Sequence, residues 1–221
     1  MNGIRRPGSK RWLAGVELCL WALALGCLAV FGLIQTQQRA AAQEALSDFH
    51  AARSAADNFV HIAERVLAEP DQALWSDARI SDYREHRPGS ADAAIAVLRI
   101  PRLSLEAPVF EGALDAELAR GPGRIRGTAS IGSDDNIGIA GHRDGFFRVL
   151  ESIQQGDVIE LLGPTSDARY RVTETWVVEP DAVHVLDPTE QGALTLVTCH
   201  PFYFVGHAPR RFIVRAVAEP H

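Results

Sequence analysis

Leu194-Thr195-Leu196-Val197-Thr198-Cys199, followed after a loop by Arg211-Phe212-Ile213-Val214-Arg215-Ala216-Val217, is the part of the chain on which its reading turns. Both segments are rich in β-branched residues, and both predict strands. In the first, Leu194 and Leu196 alternate with Thr195, Val197 and Cys199. In the second, Phe212, Val214 and Ala216 alternate with Arg211, Ile213 and Arg215. Successive side chains of a strand project to opposite faces. With the more apolar set turned to a core, Cys199 and Arg211 both point outward. A thiol and a guanidinium then share the outer face of two strands that the short connection makes candidates for neighbours. A buried structural cysteine fits this pattern badly.

Outward from that pair, strand-like stretches recur at Ile95–Ile100, Pro108–Glu111, Asn136–Ala140, Asp157–Leu162 and Arg169–Val178. Turn signals separate them, among them Gly121-Pro122-Gly123, Gly132-Ser133-Asp134, Gly163-Pro164 and Asp187-Pro188. Short helices fit at Asp115–Arg120 and Asp144–Ile153. Many short strands with few helices predict a closed barrel or a sandwich.

The region before residue 95 has a different character. Leu13 to Ile34 is almost wholly apolar, and at about 1.5 Å per residue it spans a bilayer core of roughly 30 Å. Arg5, Arg6, Lys10 and Arg11 precede it, and only Arg39 follows closely. The positive-inside rule keeps residues 1–11 in the cytoplasm and exports the rest. A cleaved signal peptide ending near Ala40-Ala41-Ala42 is the rival, but signal h-regions are shorter. Residues 12–34 are therefore read as a transmembrane anchor, 35–94 as a helical stalk and connector, and 95–221 as the β-rich domain. Within the stalk, Leu46, Phe49, Ala56, Val60, Ala63 and Leu67 form a helical stripe interrupted by Arg53. That helix either packs on the domain or pairs with a second copy. Residues 71–94 read as an irregular connector, with Trp75 and Tyr83 as isolated aromatics.

The net charge of −6 gives no reason to expect a nucleic-acid partner. Of three cysteines, Cys19 and Cys27 lie in the apolar run, and Cys199 stands alone. A thiol attacks only as thiolate, and a nearby histidine or arginine favours that form. Among the eight histidines, His200 is adjacent to Cys199 and faces the other way. His142, at the end of Asn136–Gly141, and His207, in the loop before Arg211, both remain open on the residues alone. Cys199, His200 and His207 lack the paired spacing of a zinc site, so no metal or other cofactor is expected.

Thr195-Leu196-Val197-Thr198-Cys199 resembles the TLxTC motif of sortases. Arg211-Phe212-Ile213-Val214-Arg215-Ala216 is similar to the strand that opens with their catalytic arginine. Gly141-His142-Arg143-Asp144-Gly145-Phe146-Phe147-Arg148 resembles the stretch with their catalytic histidine. Ile100-Pro101-Arg102-Leu103 and Pro108-Val109-Phe110 look like the opening strands. The resemblance covers residues 95–217 and is greatest to class D sortases and their proteobacterial relatives. It implies a mainly β fold, an eight-stranded barrel with short helices. It implies Cys199 as nucleophile, His142 as general acid/base and Arg211 as the oxyanion- or substrate-stabilising cation. Thr198 and Ile213 are expected at the substrate, and Asp144 as the N-cap of the helix that follows. It also implies the partners: an exported protein with a C-terminal LPxTG-like signal, and an amine acceptor. The catalytic domain is expected on the extracytoplasmic side of the inner membrane. A cysteine protease using water, or a membrane-tethered peptide-binding protein, are the alternatives.

Overall fold

The computed structural model describes residues 56–68, 70–86, 94–165, 167–203 and 208–220, with Leu28 and Ser54. Apart from Leu28, these belong to one compact unit, Ser54–His221. The apolar run Leu13–Ile34 lies outside the described residues, Leu28 excepted, as do its flanking charges, Ala40–Ala42, Leu46, Phe49, Arg53 and His207. Among the described residues no helix is long and apolar enough to cross a membrane.

The β region forms eight strands: β1 (Ala94–Ile100), β2 (Leu105–Glu111), β3 (Gly123–Arg124), β4 (Asn136–Ala140), β5 (Val158–Leu162), β6 (Asp167–Val178), β7 (Ala193–His200) and β8 (Arg210–Ala218). They close into a barrel in the order β1-β2-β3-β4-β7-β8-β6-β5. The β2–β3 and β4–β7 pairs are parallel and the rest antiparallel. Closure leaves no sheet edge to be protected. The one strand absent from the sequence reading is β3. Its two residues follow a Gly-Pro turn and carry no alternation, yet Gly123 pairs with Phe110 on one side and Ala140 on the other.

Alternation fills the interior. Leu98, Ile100, Ala107, Val109, Ile137, Ile139, Ile159, Leu161, Val172, Leu194, Leu196, Val214 and Ala216 are all buried in one core cluster. The assignment of Leu194, Leu196, Val214 and Ala216 to the core face therefore holds, and Cys199 and Arg211 fall on the outer face. The outer face is less exposed than alternation alone predicts. Thr195 (0% exposed) and Ile213 (1%) lie on it and are nevertheless covered.

Two helices before the barrel complete the unit. Helix α1, residues 56–68, buries Phe59, Ala63, Val66 and Leu67 in a cluster with Ala94, Val97 and Phe110. Its apolar face is thus spent on the barrel. Helix α2 (Asp77–His86) replaces the irregular connector expected there. Trp75 and Tyr83 are not isolated aromatics. Both meet Phe146 edge-on, with centroids 4.6 and 6.1 Å away, and they meet each other at 5.3 Å. Such pairs add to the area they bury because ring edges and faces carry opposite partial charge. A short helix α3 (Asp115–Leu118) and 3₁₀ helices at Pro101–Leu103, Phe146–Ser152 and Val183–Leu186 finish the connections.

Candidate active site

Parallel pairing of β4 with β7 decides which side chains meet. The register runs from Asn136 beside Ala193 to Ala140 beside Val197. One step further the Gly141 amide donates to the Val197 carbonyl at 3.1 Å. The Thr198 hydroxyl donates to the Gly141 carbonyl at 2.8 Å. Both strands therefore reach the same rim, and the residues that follow the pairing are His142, just beyond β4, and Cys199, near the end of β7. On the other side of β7, antiparallel pairing sets Cys199 directly across from Arg211, and His200 across from Arg210. The pairing thus brings the segment just after β4, the end of β7 and the start of β8, and with them His142, Cys199 and Arg211, to one end of the outer face.

Cys199 is a free, partly exposed thiol. His200 faces away from it and stacks on Phe212 at 26° with centroids 6.3 Å apart. Arg211 is partly exposed, and its Nη1 donates to the carbonyls of Ala208 (3.3 Å) and Arg210 (3.0 Å). Among the described residues no carboxylate pairs with it, so its charge is uncompensated by an anion. His184 is exposed on the 3₁₀ helix Val183–Leu186.

Two residues expected at the substrate lie beneath the surface. Thr198 is 2% exposed, faces the barrel interior, and commits its hydroxyl proton to Gly141. Ile213 is on the outer face but 1% exposed. Thr198 fixes the residue before His142, and Ile213 is covered on the β8 side.

The glycine before His142 has a steric reason. A Cβ on Gly141 would sit 2.6 Å from the Phe147 ring, which is itself fully buried. Gly141→Ala is expected to cost about 1–3 kcal/mol through overpacking, read as a lowered denaturant midpoint with an unchanged slope.

Burial holds the His142 pKa below its ordinary value of 6.5. The Arg79 guanidinium pushes it in the same direction, while Asp144, Asp115 and Asp82 oppose. A ring-proton NMR titration is expected to place the His142 midpoint below 6.5. The unfolded chain then binds more protons than the folded one between the two values. Stability contributed by this group is present above the unfolded value and is lost as pH falls through the folded one.

Several site residues carry no sequence signal of their own. Asn136 is 1% exposed on the outer face. Its Nδ2 donates to Asp187 O (2.9 Å) and Val185 O (3.3 Å), and its Oδ1 accepts from Thr195 Oγ1 (2.6 Å). Asp135 Oδ1 accepts from the Thr189 amide at 2.7 Å. These bonds fasten the β6–β7 connection against the sheet, with Val183 exposed on it. On the opposite side Arg143 Nη1 donates to Pro201 O at 2.9 Å, and Arg148 Nη1 donates to Phe202 O and lies over the Tyr203 ring. The arginines of the His142 segment thus hold the chain just after Cys199.

Asp144 does not cap the helix that follows. Gly145 stands at that cap without a side-chain bond. Asp144 instead accepts from Ser76 Oγ (3.0 Å) and Arg79 Nε (3.2 Å), residues from before the barrel.

An eight-stranded barrel with a thiol, an imidazole segment and an unpaired guanidinium on one rim defines a narrow class, and the comparisons agree on which. The sortase domain family model matches residues 98–219, more than half of the chain, and the chain belongs to that family. It is 32% identical over 122 residues to sortase D of Bacillus subtilis (strain 168), covering 55% of this chain and 62% of that protein. It is 30% identical over 131 residues to sortase A of Streptococcus agalactiae, covering 55% and 51%. The chain spans about half to three fifths of the length of these curated relatives. A Clostridium perfringens sortase D5 transpeptidase shares the fold, with a TM-score of 0.55 at 23% identity over 76% of this chain and 99% of that one. The catalytic domain of B. anthracis SrtD aligns with a TM-score of 0.51 at 30% identity, covering 61% and 91%.

Proposed function

We propose that this protein is a membrane-anchored cysteine transpeptidase. It cleaves an LPxTG-like sorting signal of another exported protein between Thr and Gly, and passes the acyl group to an amine. The observation that carries this reading is the register that sets Cys199 across from Arg211 and brings the end of β4, hence His142, beside it.

The Cys199 thiolate attacks the Thr–Gly carbonyl carbon. Negative charge develops on the carbonyl oxygen, where Arg211 and backbone N–H groups stabilise it. Protonated His142 gives its proton to the departing glycine amine as the C–N bond breaks. A thioester to Cys199 remains, and His142 is neutral. An incoming amine attacks the thioester, His142 takes a proton from it, and the Cys199 thiolate leaves. Both directions of the His142 proton transfer are used in one cycle, which returns the enzyme to its starting charge. No resident cofactor takes part.

The Leu13–Ile34 run, with Arg5, Arg6, Lys10 and Arg11 before it, anchors the chain and places the barrel on the extracytoplasmic face. A tethered enzyme meets exported substrates at the membrane surface where they emerge. The test is the full chain with a quenched LPxTG-type peptide, with and without a glycine-like amine, read by mass spectrometry. Scission between Thr and Gly with amine-joined product supports a transpeptidase. Water product alone transfers the reading to a protease. Absence of scission across a panel of motif variants, in folded protein, leaves a peptide-binding role.

A further inference from the structure

His142 sits in a turn of His142-Arg143-Asp144-Gly145 that has no strand partner beyond Gly141. The Gly145 amide donates to the His142 carbonyl at 3.2 Å, and that closes the turn. A turn closed this way fixes its own shape and not its placement against β7. Thr198 and Arg143 tie the turn to β7 and to the chain just after it, and residues 75–82 brace it from the other side. The Ser76 amide donates to the Asp144 carbonyl at 3.2 Å, and Ser76 Oγ donates to the Asp144 carboxylate at 3.0 Å. Arg79 Nε donates to the second carboxylate oxygen at 3.2 Å, while Arg79 Nη1 donates to Asp82 at 2.6 Å. The Arg79 side chain is 16% exposed. Its stem lies against Gly145, where a Cβ would come within 3.3 Å of Arg79 Cγ. Trp75 packs edge-on to Phe146, the next residue of the chain.

We propose that Ser76 and Arg79, through their grip on Asp144, are positioning residues for the transfer reaction: the segment before the barrel fixes the His142 turn so that the imidazole faces Cys199. This inference rests on His142 being the proton-transfer group. Neither Ser76 nor Arg79 touches the reacting atoms. Their bonds span 68 and 65 residues of sequence, which makes the helix preceding the barrel a component of the site and not a spacer. The grip also carries charge. His142 feels Arg79 and Asp82 from α2, Asp144 from its own turn and Asp115 from α3, and the register sets it beside the Cys199 end of β7. Removing the Arg79 cation and removing the Asp144 anion therefore act on the imidazole in opposite senses.

The experiment uses the full chain and measures two things in each variant: the His142 ring-proton titration, and kcat and KM for LPxTG-type peptide cleavage. In Arg79→Ala the His142 midpoint is expected to rise, and in Asp144→Asn to fall. Midpoints unmoved in all three variants, with kcat at the wild-type level, overturn the proposal. Arg79→Ala, Ser76→Ala and Asp144→Asn are each expected to lower kcat roughly tenfold to a hundredfold with KM nearly unchanged, the scale of loss for a misplaced group. Arg79→Lys restores part of the rate, and Arg84→Ala, on the exposed side of the same helix, leaves it unchanged. Full kcat in folded Arg79→Ala sinks the proposal while leaving the transfer reaction standing. A wild-type chain inert on every peptide, with the two midpoints still moving in opposite directions, sinks the transfer reaction and leaves the positioning of His142 standing.

Discussion

Cys199→Ala removes cleavage and transfer together, by roughly 10⁴-fold or more, the scale seen when a nucleophile is deleted from a unit that acts as one. The loss is expected to be complete because nothing nearby can substitute. Thr198, the adjacent hydroxyl, faces the interior and holds the Gly141 carbonyl. His200 faces away and is packed on Phe212. The fold survives the change. Cys199 lies at the partly exposed end of β7, and the β7–β8 register is set by Ala193 through Thr198 as well. The variant should therefore melt within about 1 kcal/mol of wild type while giving no acyl-enzyme in a mass-spectrometric trap. A residual turnover of a tenth of wild type would remove Cys199 from the mechanism.

Arg211→Ala is expected to lower kcat/KM by about 10²–10³-fold, the usual cost of losing one oxyanion-stabilising group. The structural penalty is small, because among the described residues no carboxylate depends on Arg211, and its bonds go to local carbonyls that solvent can reach. Arg211→Lys recovers only part of the rate, since an ammonium supplies the charge without the planar fork. The control is its neighbour. Arg210 pairs with His200 and projects to the other face, so Arg210→Ala is expected near wild type. Should Arg210→Ala carry the loss instead, the β7–β8 register assigned to the site is wrong.

What the sequence disclosed follows the physics of alternation. The parity of Leu194–Cys199 and Arg211–Val217 was sufficient to put the thiol and the guanidinium on one face, because strand geometry has period two whatever the tertiary setting. Exposure was not legible in the same way. Ile213 has the parity of Arg211 but is buried, because what covers an outer face depends on chain segments distant in sequence. Helix α2 was missed for a related reason. Asp77–His86 is mostly polar and buries only Tyr83, so it shows no apolar stripe. Ion pairs and an aromatic contact with the His142 segment hold it, and periodicity cannot register partners nearly seventy positions away. Asp144 was misassigned on the same account: an aspartate before a helix reads as a cap, and its true partners lie upstream of the barrel.

The parallel pairing of β4 with β7 also bears on when the Cys199 thiol can meet the His142 imidazole. The bond that sets the His142 turn beside the Cys199 strand joins residues 57 positions apart, and it can form only after the intervening chain has folded and returned. Contacts of that separation form late, because loop closure must precede any reward from them. A nascent or half-folded chain therefore carries a cysteine with no base beside it. The topology itself acts as a latch on reactivity: the thiol meets its imidazole only after β4 and β7 have paired.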